Sequence, residues 1–160
     1  MILSMRNLLM NRKSTVSPFF PPPFHWNVRE GFDQRVDLIS TISDPEHPIS
    51  LGSLAVVSLP DIKIHPAIPS DPSSPLRTVT VLITPTITHC SLATVIGLAV
   101  RVRLEQSLPA RFRVDVRIKE GTHSTADEVN KQLADKERVA AALENGTLMG
   151  VIKKMLETCR

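Results

Sequence analysis

Aromatic residues are scarce in this chain: five Phe, one Trp and no Tyr among 160 residues. Any core must therefore be built from aliphatic side chains. No Gly-rich phosphate loop, G-x-S-x-G elbow or H-E-x-x-H helix motif occurs, so the common nucleotide-binding, serine-hydrolase and zinc-protease signatures are missing. The two cysteines, Cys90 and Cys159, make no disulfide framework, and no secretory signal pattern is present. The longest apolar run, Leu92 to Val100, is interrupted by Thr94 and followed by Arg101. No membrane span is expected from it. The charge balance is mild, with a formal net charge of +3. It permits an acidic partner, and without an aromatic-plus-basic motif it gives no call for direct nucleic-acid binding. These absences leave a reduced, soluble, intracellular protein as the expectation.

Acids are also missing from the start of the chain, where none precedes Glu30. "MILSMRNLLMNRK" is basic and apolar, and "SPFFPPPFHW" supplies a proline run that would stay extended. Residues 1–30 are expected to be a divergent, flexible segment, and residues 31–160 a single α/β domain. An Arg-bearing, acid-free start resembles a mitochondrial transit peptide. A disordered tail or an incorrect start site are the alternatives.

From Phe32 onward the patterning is that of a folded domain. Phe32, Val36, Ile39 and Ile42 recur at helical spacing, and Pro45 in "DPEHP" marks a stop. "LAVV" and "IKI" read as short strands around Pro60, and "AIPSDPSSP" as a loop. In "TVTVLI", Val79, Val81 and Ile83 share one face. In "RFRVDVRIK", Phe112, Val114, Val116 and Ile118 alternate with Arg111, Arg113, Asp115, Arg117 and Lys119. Between those strands, Ser91 to about Ser107 reads as a buried helix, with Arg101 and Arg103 placed to favour its own dipole. Gly97 within it costs about 1 kcal/mol against alanine, which a close approach by the sheet would offset.

The last third is helical. Thr125 and Glu128 have capping-box spacing ahead of Val129 and Leu133. "DKERVAAALEN" continues that helix or begins another, and Asn145-Gly146 ends it. Leu148, Val151, Ile152, Met155 and Leu156 form one further apolar stripe. The fold class expected is α/β (α+β): a small mixed sheet of three to four strands packed with helices.

Cys90 stands where a strand-like run meets a helix-like run in "TPTITHCSLATVIGL". A helix N-terminus presents unpaired N–H groups and about half a positive charge, which favours a thiolate. His89, if protonated, would add to that field. The plainer reading is a packed, inert thiol, since free cysteine is among the most buried residue types. His89, His47, His123 and Glu46 are secondary metal-ligand candidates, with Asp44 grouped beside Glu46 and His47; His89 next to Cys90 lacks ligand-pair spacing. "DPEHP" reads equally as a stiff turn and "GTH" as turn surface or cap packing. The basic strand face reads as solvated, or as a dock for an acidic partner. Cys159, near the end, is expected to fray.

Taken together, "SDPEHPISL", "TPTITHCSLATVIGL", "SLPARFRVDV" and "GTHSTADEVNKQLADKERVAAALEN" resemble the cytosolic iron–sulfur protein assembly component-two family, from about Phe32 to Ile152. The resemblance implies a non-enzymatic maturation factor whose reactive thiol falls on Cys90. It implies a targeting complex with a WD-repeat propeller protein and a large helical-repeat adaptor, delivering clusters to cytosolic and nuclear apoproteins. Homodimers are implied too. An iron–sulfur cluster normally takes about four thiolates, so a monomer offering Cys90 alone would hold none stably and would handle one transiently. A cytoplasmic location, extending to the nucleus, follows from the resemblance, and a mitochondrial one if residues 1–30 act as a transit peptide. The family's usual start is not recognisable in residues 1–30, and "HPAIPSDPSSPLR" is longer than the common form. A structural adaptor, and a thiol- or metal-dependent enzyme using Cys90 with His89, His47 or His123, are the competing readings.

Overall fold

The computed structural model describes residues 34–86 and 90–159, with the backbone alone for Gln34, Arg35 and Cys90. Residues 1–30, Phe32 and His89 lie outside that description. The elements run α1 (Gln34–Ser40), a 3-10 turn (Leu59–Asp61), β1 (Ile62–Pro66), β2 (Arg77–Ile83), α2 (Cys90–Ser107), β3 (Phe112–Ile118), α3 (Ala126–Ala134), α4 (Lys136–Glu144) and α5 (Gly146–Leu156). This is an α+β fold around a three-stranded mixed sheet, ordered β1-β2-β3.

The period-two alternation builds the sheet. β1 pairs antiparallel with β2, setting Ile62 opposite Val81 and Ile64 opposite Val79. β3 lies parallel to β2, with Val81 opposite Val116 and Ile83 opposite Ile118. These aliphatic rows point to one face, where Leu38 and Ile39 of α1 and Leu104 of α2 meet Ile62, Ile64, Val79 and Val81. The parallel pair needs a crossover, and α2 supplies it. Ala93, Ile96, Leu98, Ala99 and Val100 are all buried, so this helix is apolar nearly all round, as its sequence indicated. The proline-rich stretch links the antiparallel strands β1 and β2, closed by the Ala67 N–H on the Leu76 carbonyl at 3.1 Å.

Several local expectations change. "LAVV" is a turn, not a strand. Leu54 donates to Ser50, Ala55 to Gly52, and Val56 to Leu51, with Ala55 at φ 55°. Those last two bonds are the paired closure of a Schellman motif, and Leu51 and Val56, which the six-residue bond joins, are both buried. Gly97 is approached by α3, not by the sheet: a Cβ there would stand 2.7 Å from Leu133 Cδ1. Arg101 and Arg103 serve neighbouring helices instead of their own dipole. Arg101 Nη1 donates to Leu133 O at 2.9 Å, and Arg103 Nε to Leu38 O at 3.2 Å, near the C-terminal ends of α3 and α1.

The capping box does not form, because Thr125 makes no side-chain cap bond to α3. "DKERV" begins a new helix: Asp135 accepts from Glu137 N–H and Arg138 N–H at 3.0 and 3.2 Å. Asn145 both ends α4 and caps α5, accepting from Thr147 N–H and Leu148 N–H. The stripe on α5 is narrower than its spacing suggests: Ile152, Met155 and Leu156 are buried, while Val151 is 38% exposed. Cys159 is not frayed. It packs half-buried on the core, and Thr158 Oγ1 ties the terminus to the Thr41 carbonyl at 2.6 Å.

Candidate functional site

β2 and β3 are parallel and end level with one another at Ile83 and Ile118. Loops leaving the carboxyl ends of adjacent parallel strands are where open α/β sheets place ligand-binding groups. One such loop leads from β2 to Cys90, the first residue of the 18-residue helix α2. The helix start read from the sequence is therefore met by the backbone, and a helix begins with N–H groups that have no partner within it.

The other loop leads from β3 to His123, which is only 9% exposed. Its Nδ1 accepts the Thr125 N–H at 3.2 Å and pairs with Thr125 Oγ1 at 3.0 Å. An Nδ1 that accepts leaves the neutral ring's proton on Nε2. Nε2 is buried and has no hydrogen-bond partner among the described residues. Cap packing, not turn surface, is what His123 does at the start of α3.

"DPEHP" forms a second polar centre. Asp44 has a fully buried side chain, and its Oδ1 accepts from Glu46 N–H and His47 N–H, each at 2.9 Å. His47 Nδ1 lies 3.1 Å from the same oxygen, and its side chain is 55% exposed. This is an Asx-type turn whose carboxylate does the work of a backbone acceptor. Asp44 Oδ2 is buried without a partner among the described residues. The turn faces the end of α5 across a cleft of ≈ 340 Å³, lined on the far side by Val151, Lys154, Met155, Glu157 and Thr158. Glu46 is exposed beside it.

Among the described residues the candidate ligands Glu46, His47 and His123 do not converge. Among the described residues no three His, Cys, Asp or Glu side chains gather closely enough to hold a metal ion. Glu46, His47 and His123 thus belong to no single centre, and His89 lies outside the described residues. The sequence offered Asp44 with Glu46 and His47 as possible ligands or as parts of a turn, and did not foresee its burial. Only the short spacing of an acid before two prolines hinted at a turn closed by its side chain. Nor is any described helix long and apolar enough to cross a membrane.

The chain matches no family model. Relatives are nevertheless clear. It is 47% identical to the mouse (Mus musculus) cytosolic iron-sulfur assembly component 2B, covering 97% of this chain and 91% of that protein. The chain belongs to the MIP18 family. An MIP18 family protein of Saccharomyces cerevisiae is 60% identical over 78% of the chain, and the chain spans 52% of its length. The MIP18 family protein galla-2 of Drosophila melanogaster is 52% identical over 81% of the chain and 80% of its own length. The yeast and fly matches run over 124 and 132 residues, and the mouse match over 157.

Proposed function

We propose that this chain is a non-enzymatic factor of cytosolic iron–sulfur protein assembly, a subunit of a targeting complex that brings clusters to cytosolic and nuclear apoproteins. The observation that carries this is the near full-length match to a mouse protein named as a cytosolic iron-sulfur assembly component. The family resemblance supplies the partners: a WD-repeat propeller protein and a large helical-repeat adaptor. In this reading the cluster is cargo. One chain brings one cysteine to the head of α2, short of the roughly four thiolates a cluster takes, so a second copy or a partner completes any transient site.

Cys90 is the residue on which the chemistry would turn. A thiol at the first position of a long helix feels the partial positive charge of the orphan N–H groups, which favours the thiolate that binds metal or exchanges with a partner. Replacing Cys90 by serine keeps the size and the helix start. The variant should fold with an unchanged urea midpoint, still co-purify with the propeller and helical-repeat partners, and fail to support cytosolic iron–sulfur enzymes in cells lacking the native protein. Full rescue by Cys90→Ser would leave the chain as a structural adaptor. Failure to recover either partner would remove the targeting-complex reading.

A further inference from the structure

Among the described residues, the helices cover one face of the sheet and leave the other bare. Thr78, Thr80 and Leu82 on β2 are half-buried, while Lys63, His65, Arg113 and Arg117 on the flanking strands are exposed. That is unusual for a parallel pair such as β2–β3, because parallel strands occur almost only where both faces are covered. The chemistry of the face says what would cover it. Four cations, Lys63, Arg113, Arg117 and Lys119, stand against two acids, Asp61 and Asp115. Both acids are already engaged, Asp115 by Arg117 and Asp61 by Lys119, each at 2.8 Å. Lys63 and Arg113 have no ion-pair partner among the described residues. They bracket the central strand, opposite Thr80 and Thr78 respectively.

We infer that this face docks an acidic surface of a partner protein, with Lys63 and Arg113 meeting its carboxylates across Thr78, Thr80 and Leu82. The chain's own first 29 residues do not suit the place, since their charges are all basic. A nucleic acid suits it less than a protein does. Only Lys63 and Arg113 among its strand cations lack an acid, too few to follow a phosphate backbone, and among the described residues no Phe or Trp lies on it to stack on a base. This inference stands on topology and charge, and does not depend on the assembly-factor reading.

The test uses the full chain and a fluorescein-labelled peptide of alternating Glu and Ser, followed by anisotropy at low salt. Lys63→Glu with Arg113→Glu should weaken binding about tenfold or more, since two exposed attractions become repulsions. Lys131→Glu with Lys153→Glu, exposed on α3 and α5, alters net charge equally and should leave affinity within about twofold. Lys63→Gln with Arg113→Gln should fall between, and serves if the reversal lowers the thermal midpoint. Equal losses in both reversed variants would reduce the effect to net charge and overturn the docking face. Tighter binding of a single-stranded oligonucleotide to the same residues would overturn the acidic-protein assignment. So would loss of self-association in the face variant alone, which would make the occupant a second copy of the chain.

Discussion

Arg101 Nη1 donates to the carbonyl oxygen of Leu133 at 2.9 Å, while Arg101 Nε holds Glu105 at 2.8 Å. One guanidinium thus completes the end of α3 and braces its own helix. The side chain is 13% exposed, so its stem also packs between the two helices. Leu133 contributes twice, since its side chain fills the space that Gly97 leaves open. α2, which carries Cys90 at its head, is in this way fixed against α3, which carries His123 just before it.

Removing that fork should be felt in stability. Arg101→Met keeps much of the stem and leaves the Leu133 carbonyl without its donor, at a cost of about 1–3 kcal/mol. Arg101→Lys should recover less than half of the loss, because one ammonium cannot span both acceptors in the guanidinium geometry. Urea unfolding with an unchanged m-value would report both. A midpoint for Arg101→Met equal to the native one would show that the contact adds nothing.

Ala55 holds a left-handed conformation, φ 55°, at the position where a Schellman motif takes glycine. An L-residue there costs roughly 1–2 kcal/mol, and glycine returns part of that gain through its greater freedom when unfolded. Ala55→Gly should therefore stabilise the protein by about 0.5–1 kcal/mol, and Ala55→Val should destabilise it. Thermal unfolding checks both signs. A lower midpoint for the glycine variant would mean the turn is held by something other than its backbone conformation.

The sheet was legible from the sequence because alternation leaves a period-two trace, and β2 and β3 follow it residue for residue. α2 was legible for a different reason: an apolar run too long for a strand must be a buried helix. "LAVV" misled because four apolar residues carry no period of their own. Its turn is made by backbone bonds and one left-handed alanine, which composition does not mark. Thr125 and Glu128 had the right spacing for a capping box, yet His123 takes up both the Thr125 N–H and its hydroxyl. The helix start expected at Cys90 could be read from the junction of two patterns. The burial of Asp44 could not, since it follows from where α5 returns, and that is decided by residues more than a hundred positions away.

Asp61 gives a pH dependence with a definite sign. Its Oδ1 is held by Lys119 Nζ at 2.8 Å and its Oδ2 by Ser58 Oγ at 2.7 Å. First the Lys119 bond and then the Ser58 bond lower its pKa below the ordinary carboxylate value. A carboxyl lowered in the folded state contributes stability that is full above its unfolded pKa and is lost as pH falls through the folded one. Asp61→Asn should cost about 1 kcal/mol at neutral pH, the upper end for an ion pair whose lysine is half-exposed to solvent. The gap between variant and native protein should then narrow from about pH 4 downward, as the native carboxylate gains its proton. Lys119→Met should narrow the gap in the same window, since the ammonium is the leading cause of the shift. Urea midpoints measured from neutral pH to about pH 2 decide it. A gap that stayed constant across the acid range would place the effect in packing, with the charge of Asp61 contributing nothing.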